Sequence, residues 1–328
     1  METRKVQQVG FSTLIVSLPR DWAREVGLKR GDIVTFNKED GALKITPGIE
    51  HEKKELLKCT INADLCKEPR LLTRIITANY ILGRDMIQVV WRGESLPEHL
   101  QEIRSTIKRL TGLGIVEQTL KYVTLHNFID PTKYPINGMI RRVHVIFSSM
   151  LAATIQALAE KKSELAKEVI RMEDEADQLY WLIVRQIFLA AQDKTIAKKI
   201  GVEDLLHLLG DRMVAKDLEE MADYTESMAK DILGIHEIEY KLSEEIMGSI
   251  KKMVELVLKL SSESIEAFFA HDVKKANRVI EEVEKLDEIE MKAVDVILAH
   301  VEDLRAAILL RSIFSNIRQI AKHCNIIA

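Results

Sequence analysis

Val202-Glu203-Asp204-Leu205 recurs ninety-nine residues later as Val301-Glu302-Asp303-Leu304. At the same offset Leu218 meets Ile317, Met221 meets Ile320 and Ala222 meets Ala321. Upstream, Ala166, Val169 and Ile170 match Ala276, Val279 and Ile280 at an offset of 110. A repeat on this scale is one supersecondary unit used twice, with a link eleven residues shorter in the second copy. No proline occurs within 137–328, and the ninety residues from Met139 hold only Gly201 and Gly210. Long uninterrupted helices follow. Their spacing predicts six, at about 137–160, 163–191, 203–234, 242–270, 272–300 and 302–328. They group as two tandem three-helix bundles, about 137–235 and 242–328. Glu203-Asp204 and Glu302-Asp303 then lie in first helical turns, where negative charge meets the positive helix end.

Outward from the repeat, 51–136 alternates strand and helix patterns. Leu56 to Ile61, Met86 to Trp91, Ile115-Val116 and Tyr122 to Leu125 suit strands. Pro69 to Tyr80 and Leu96 to Leu110 suit helices. This is a small α/β module without a phosphate loop, since no Lys-Ser/Thr follows Gly112 and Gly114.

Residues 1–50 read as strands around one short helix. Lys5 to Val9 alternates, Leu14-Ile15-Val16 is a brief strand, and Pro19 and Gly27 bracket a helix containing Trp22, Ala23 and Val26. Ile33 to Phe36 and Leu43 to Ile45 flank the hairpin turn Asp40-Gly41. Some fifty residues with so few apolar side chains bury too little surface alone. A partner copy is expected to complete them as an intertwined homodimer.

Composition sets outer bounds. The 328 residues carry 47 basic and 51 acidic groups, net −4, with 47% hydrophobic and 30% charged residues. That excludes a disordered chain, and scarce glycine (14) and proline (6) argue against an all-β one. Cys59, Cys66 and Cys324 lack zinc-ligand spacing and read as buried thiols in a reducing cytoplasm. The most apolar run, Val143 to Ala159, reads as too polar and short to insert in a membrane. Charge is uneven, +1 over 1–50, +3 over 51–136 and −8 over 137–328.

Carboxylates cluster in the first bundle. Glu173 and Asp177 lie four apart on its second helix, Glu219 and Asp223 four apart on its third. Residues so spaced share a helix face. Two antiparallel helices would aim both pairs at one point, a set suited to iron, manganese or magnesium. The bland alternative is a solvated acidic face. His207, three residues after Asp204, reads as structural, and no Glu-x-x-His is present. At matched positions of the second bundle Glu173 becomes Val283, Asp177 remains Asp287, Glu219 becomes Arg318 and Asp223 becomes Lys322. One acid facing two bases predicts a salt bridge there, not a metal site. No nucleophile–base pair accompanies the acids, so the chain is not read as an enzyme.

These residues carry a resemblance. The repeat, with Glu173-x-x-x-Asp177 and Leu218-Glu219-x-x-x-Asp223-Tyr224 followed by Met228-Ala229-Lys230-Asp231, resembles the PhoU family of phosphate-uptake regulators over 137–328. That resemblance implies a helical regulator binding metal through Glu/Asp-x-x-x-Asp motifs. Residues 4–46 resemble the swapped-hairpin domain of the SpoVT/AbrB superfamily. The resemblance rests on Arg4-Lys5-Val6, Gly10-x-Ser12 and Leu18-Pro19-Arg20-Asp21-Trp22-Ala23-Arg24-Glu25-Val26-Gly27-Leu28-Lys29-x-Gly31-Asp32. Phe11 stands where the antitoxin branch commonly has Asn, and Arg30 where Pro is common. It implies an interleaved dimer contacting DNA through Arg4, Lys5, Arg20 and Arg24. The combination looks like the archaeal PhoU-like regulators.

The fold expected is therefore mixed: a swapped-hairpin β domain (1–50), a small α/β module (51–136) and all-α PhoU-like tandem bundles (137–328). The leading function is a cytoplasmic DNA-binding regulator of phosphate uptake whose helices sense phosphate status through metal or a protein partner. That partner would be a phosphate transporter ATPase or signalling protein. The alternative is an adaptor that binds no DNA and represses the transporter or its signalling partner by contact.

Overall fold

A computed structural model describes residues 3–39, 41–48 and 57–328. The chain forms two compact units, 1–55 and 56–328. In the first, β1 (Gln7–Val9) pairs antiparallel with β2 (Thr13–Ile15), and α1 (Arg20–Glu25) follows. β3 (Val34–Glu39) then pairs antiparallel with β4 (Ala42–Pro47). Pro19 stands just before α1, and Gly27 ends it in the left-handed region (φ +72°), where a side chain would be strained. Of the expected Asp40-Gly41 turn, Asp40 lies outside the described residues, as do the junction at 50 and Leu56. No described residue of this unit is buried. Val6, Val9, Leu14, Phe36 and Leu43 are more than half exposed, and Phe11 wholly so.

The second unit begins with a four-stranded mixed sheet. Its strands are β5 (Lys58–Asn62), β6 (Met86–Val90), β7 (Leu113–Gln118) and β8 (Tyr122–Asn127), in the order β5-β6-β8-β7. β5 and β6 are parallel, joined through α2 (Leu71–Ile81). After α3 (Pro97–Arg109), β7 and β8 form an antiparallel hairpin. Leu72, Ile76 and Tyr80 of α2 and Ile103 of α3 pack with Ile87, Val89, Val123 and Leu125 of the sheet.

The helices come next: α4 (Ile136–Glu160), α5 (Ser163–Gln192), α6 (Lys194–Lys199) and α7 (His207–Glu237). The second repeat is α8 (Glu244–Ala270), α9 (Val273–Val283), α10 (Lys285–His300) and α11 (Leu304–Ile327). Two differences from the sequence reading have local causes. The Asp193 carboxylate accepts the Thr195 and Ile196 N–H groups and starts the extra helix α6. The helix expected over 272–300 is interrupted at Glu284, whose carbonyl takes the Asp287 N–H in a tighter turn. Asp303 does not enter the first turn of α11. It stands one residue before it and caps the Ala306 N–H. Asp204 likewise precedes α7 and accepts the Leu206 N–H.

α4, with 25 residues, matches the helix expected at about 137–160 and extends beyond the apolar run Val143 to Ala159. By length and composition alone it suffices to cross a membrane. Here its apolar stripe, Met139, Ile140, Val143, Phe147, Met150 and Leu151, fills the bundle core instead. α4, α5, α7, α8 and α11 share that one core.

The α/β module is docked on α5. Arg185, 4% exposed, donates to the carbonyls of Tyr80, Gly83 and Arg84, stacks on the Tyr80 ring and lies 3.7 Å from Asp85. Beside it the Gln186 amide donates to the carbonyls of Pro131 and Tyr134. At Gly83 (φ +84°) the turn after α2 runs so close to α5 that a Cβ would meet Leu189 at 2.5 Å. Among strand-linking loops such backbone carbonyls need donors once buried, and α5 supplies them.

Candidate nucleic-acid face and acidic cluster

The amino-terminal bases are all exposed. Arg4 and Lys5 lie in the extended segment entering β1. Arg20 opens α1, held by a turn in which the Ala23 N–H bonds the Pro19 carbonyl, and Arg24 follows one turn later on the same face. Lys29 and Arg30 are exposed in the next turn, which is fixed by the Lys29 N–H donating to Asp32. Short stems on a rigid turn can present guanidinium groups to phosphate oxygens at a fixed spacing.

The four acids expected to hold metal sit between α5 and α7. Burial, then the charges of Asp177, Asp223, Glu226 and Asp174, pushes the Glu173 carboxyl up to about 8. Asp223 is raised by burial, with Lys216 opposing and Glu220, Asp177 and Glu226 adding to it. The spacing thus brings the predicted acids within each other's field. Two of the four, however, face a cation. The Asp177 carboxylate, 4% exposed, accepts from Arg109 of α3 at 2.9 and 2.8 Å. Glu219 pairs with Lys216 at 2.5 Å, and Lys216 reaches Glu220 at 2.7 Å. Burial disfavours the Lys216 charge, but its bonds to Glu219 and Glu220 outweigh that and raise its pKa. Among the described residues no three acids or imidazoles converge on one point. Among the described residues Glu173 and Asp223 make no ion pair, and their donor chemistry suits a hard ion whose arrival would relieve the mutual repulsion.

Neither Arg109 nor Glu226 was singled out by the sequence. Glu226 had a visible signal, lying three residues after Asp223 on the same helix face. Arg109 lies 68 residues from its partner, and only the docking of α3 reveals it.

The second repeat answers the internal comparison. Arg318 pairs with Asp287 at 2.7 Å and with Glu290 at 3.1 Å, and Arg311 holds Glu290 at 2.8 Å. The expected salt bridge is there, while Lys322 stays outside it. Tyr180 and Arg212 occupy the matched places in the first repeat, and there the guanidinium lies 5.1 Å over the phenol ring. Chemistry has changed while the contact has been kept.

Comparison with known proteins places these features. Residues 7–53 match the MazE antitoxin domain (antidote-toxin recognition MazE, bacterial antitoxin). No curated protein matches the chain significantly. Among solved structures it resembles PhoU from Pseudomonas aeruginosa, at 17% identity and a TM-score of 0.52, over 58% of this chain and 91% of that one. It also resembles the phosphate transport system regulatory protein PhoU from Streptococcus pneumoniae, at 20% identity and a TM-score of 0.50, over 58% and 89%. At such identities the likeness establishes the fold. Residues 140–232 and 250–328 each match the PhoU domain. With that domain matched twice over more than half its length, behind an amino-terminal MazE/AbrB-like domain, the chain belongs to the PhoU domain family.

Proposed function

We propose that this chain regulates phosphate uptake by binding DNA as a homodimer in the cytoplasm. The observation that carries the reading is the amino-terminal unit. Its bases are exposed, and Val9, Leu14, Phe36 and Leu43 are more than half exposed, in one chain with two PhoU domains. A unit with no buried residue gains little from folding alone. A second copy covering Val9, Leu14, Phe36 and Leu43 would supply the missing core and double the basic face. Arg4, Lys5, Arg20 and Arg24 would then position the DNA backbone. Families of these two kinds are regulatory rather than catalytic, and the acids between α5 and α7 lack a nucleophile.

The helical domain would report phosphate status through a protein partner or a cation. A phosphate transporter ATPase or a signalling protein fits the −8 charge of 137–328. An iron, manganese or magnesium ion would be held by Glu173 and Asp223, with Asp177 and Glu219 available if Arg109 and Lys216 release them.

Gel-shift titration of the full chain on its own upstream DNA and on phosphate-transporter promoters, at two salt concentrations, tests the DNA reading. Each phosphate contact adds about 0.9 to the slope of log affinity against log salt. The Arg20→Ala/Arg24→Ala double variant is expected to lower that slope by ~2–4 in a dimer and to weaken binding at least a hundredfold. Weak, sequence-blind binding by the wild type would favour the adaptor reading, in which the dimer only presents the helical surface to a protein partner.

A further inference from the structure

A cavity of about 390 Å³ opens where the first turns of α7 meet the start of α4 and the end of α8. It lies away from the acidic cluster, and nothing in the regulatory reading uses it. Its volume is in the range of small-molecule sites. Asp211, 6% exposed, lines it, and among the described residues no hydrogen bond or ion pair joins it. A carboxylate this little exposed costs free energy unless a donor or cation meets it. The His207 and His271 rings, 5.9 Å apart, line it, as do Phe268 and Phe269, which pack edge-to-face at 5.2 Å. Glu203 and Asp204 add two further carboxylates to the rim, and neither lysine nor arginine lines it. Arg141 stacks over the Phe269 ring at 3.9 Å and makes no ion pair with Asp211.

The sign and shape of this cavity select among ligands. Inorganic phosphate would meet three carboxylates and no cationic side chain of the fixed-charge kind, so it is repelled. The acids and imidazoles do not converge as a metal ion requires. An apolar ligand alone would leave Asp211 unpaired. A planar or primary organic cation with an apolar body satisfies every wall: its charge pairs with Asp211, and its body lies on the phenyl rings. We propose that the cavity between α4, α7 and α8 binds an ammonium, amidinium or guanidinium group, with Asp211 as its counter-ion. The group is either a free amine or the side chain of an arginine presented by a polypeptide, since both offer the same chemistry.

The test is titration calorimetry of the full chain with benzamidinium and its neutral isostere benzamide. Benzamidinium is expected to bind at least tenfold more tightly than benzamide. Asp211→Asn should bring it down to the benzamide level. Asn137→Lys, at an exposed residue of the rim, places an ammonium at the mouth and should cost tenfold without disturbing the core. It keeps the test decisive if Asp211→Asn fails to fold. Competition by agmatine and by N-acetylarginine methylamide distinguishes the two sources: the stronger competitor names the source, and either result supports the site. Equal binding of the two isosteres, binding of neither, or displacement of benzamidinium by inorganic phosphate would overturn the proposal.

Discussion

The two PhoU repeats keep one scaffold and answer the same electrostatic problem from different directions. In the first, Asp177 on α5 is neutralised by Arg109, which comes from the docked α/β module. In the second, the matched Asp287 is neutralised by Arg318, from within the bundle itself, at the position of Glu219. α5 is continuous for 30 residues and packs against α2 and α3 as well as against α4 and α7. Its counterpart is split into α9 and α10, and no module covers it. Arg185, which fastens the module, corresponds to Asp295, an exposed acid. The lesson is that a repeat can lose its acidic cluster without losing its fold, with one buried acid held by arginine in each: Asp177 by Arg109 in the first, Glu290 by Arg311 in the second.

Breaking the fastening should have the largest effect. Arg185→Ala leaves the carbonyls of Tyr80, Gly83 and Arg84 without their donor, and unsatisfied buried groups cost ~1–3 kcal/mol each. A loss of about 3 kcal/mol in urea unfolding is expected, together with faster proteolysis within 57–135. Asp295→Ala should change stability by less than ~0.5 kcal/mol, as surface substitutions do. Equal effects at the two sites would erase the distinction between the repeats.

Next in size is Arg109→Ala, which strands a carboxylate that is 4% exposed. The Arg109 side chain is itself 57% exposed, so solvent screening lowers the expected cost to about 1–2 kcal/mol. A double-mutant cycle with Asp177→Asn would measure the coupling directly.

The pH dependence sharpens the comparison further. The folded Glu173 carboxyl titrates at about 8, above its ordinary 4.5. Between those values the folded state holds a proton that the unfolded state has lost. This group's contribution to stability is therefore full below about pH 4.5, falls as pH rises, and is gone above about 8. Glu173→Gln should remove that slope and stabilise the protein by ~1 kcal/mol at pH 8.5, read by thermal unfolding across pH. Val283 already stands at the matched place in the second repeat. An unchanged slope would mean that the acids are not coupled.

The smallest effect is expected from Arg318→Ala. Its partner Asp287 is 59% exposed, and Glu290 keeps Arg311. A cost under ~1 kcal/mol follows. A larger one would put the second repeat's salt bridge on a level with the first.

Much of this was legible because helix periodicity and repeats are local signals. The strands and helices of 58–127 and five of the six expected long helices follow from spacing, and the Arg318–Asp287 pair follows from comparing one repeat with the other. The bend at Glu284 carries no proline or glycine to announce it. The Arg109–Asp177 pair joins residues 68 apart, which no local pattern encodes. One clue to the docking of the α/β module was present and passed over. Trp181 to Ala190 is apolar almost all round, and a helix without a polar face is covered on every side. Arg185 and Gln186 within that run are the polar groups that serve the neighbouring backbone. The cavity around Asp211 was beyond reach, because His207 was read beside Asp204 in sequence and His271 comes from another helix.

That no described residue of the amino-terminal unit is buried has a kinetic and dosage consequence. If order there arrives only with a second copy, folding and pairing are one bimolecular event. Stability of that unit then rises by ~1.4 kcal/mol for each tenfold increase in protomer concentration. On the proposed reading, a chain below the pairing threshold would carry intact helical repeats and no operator-reading surface. The number of copies in the cell, not the affinity of a finished reader, would then set when transcription responds.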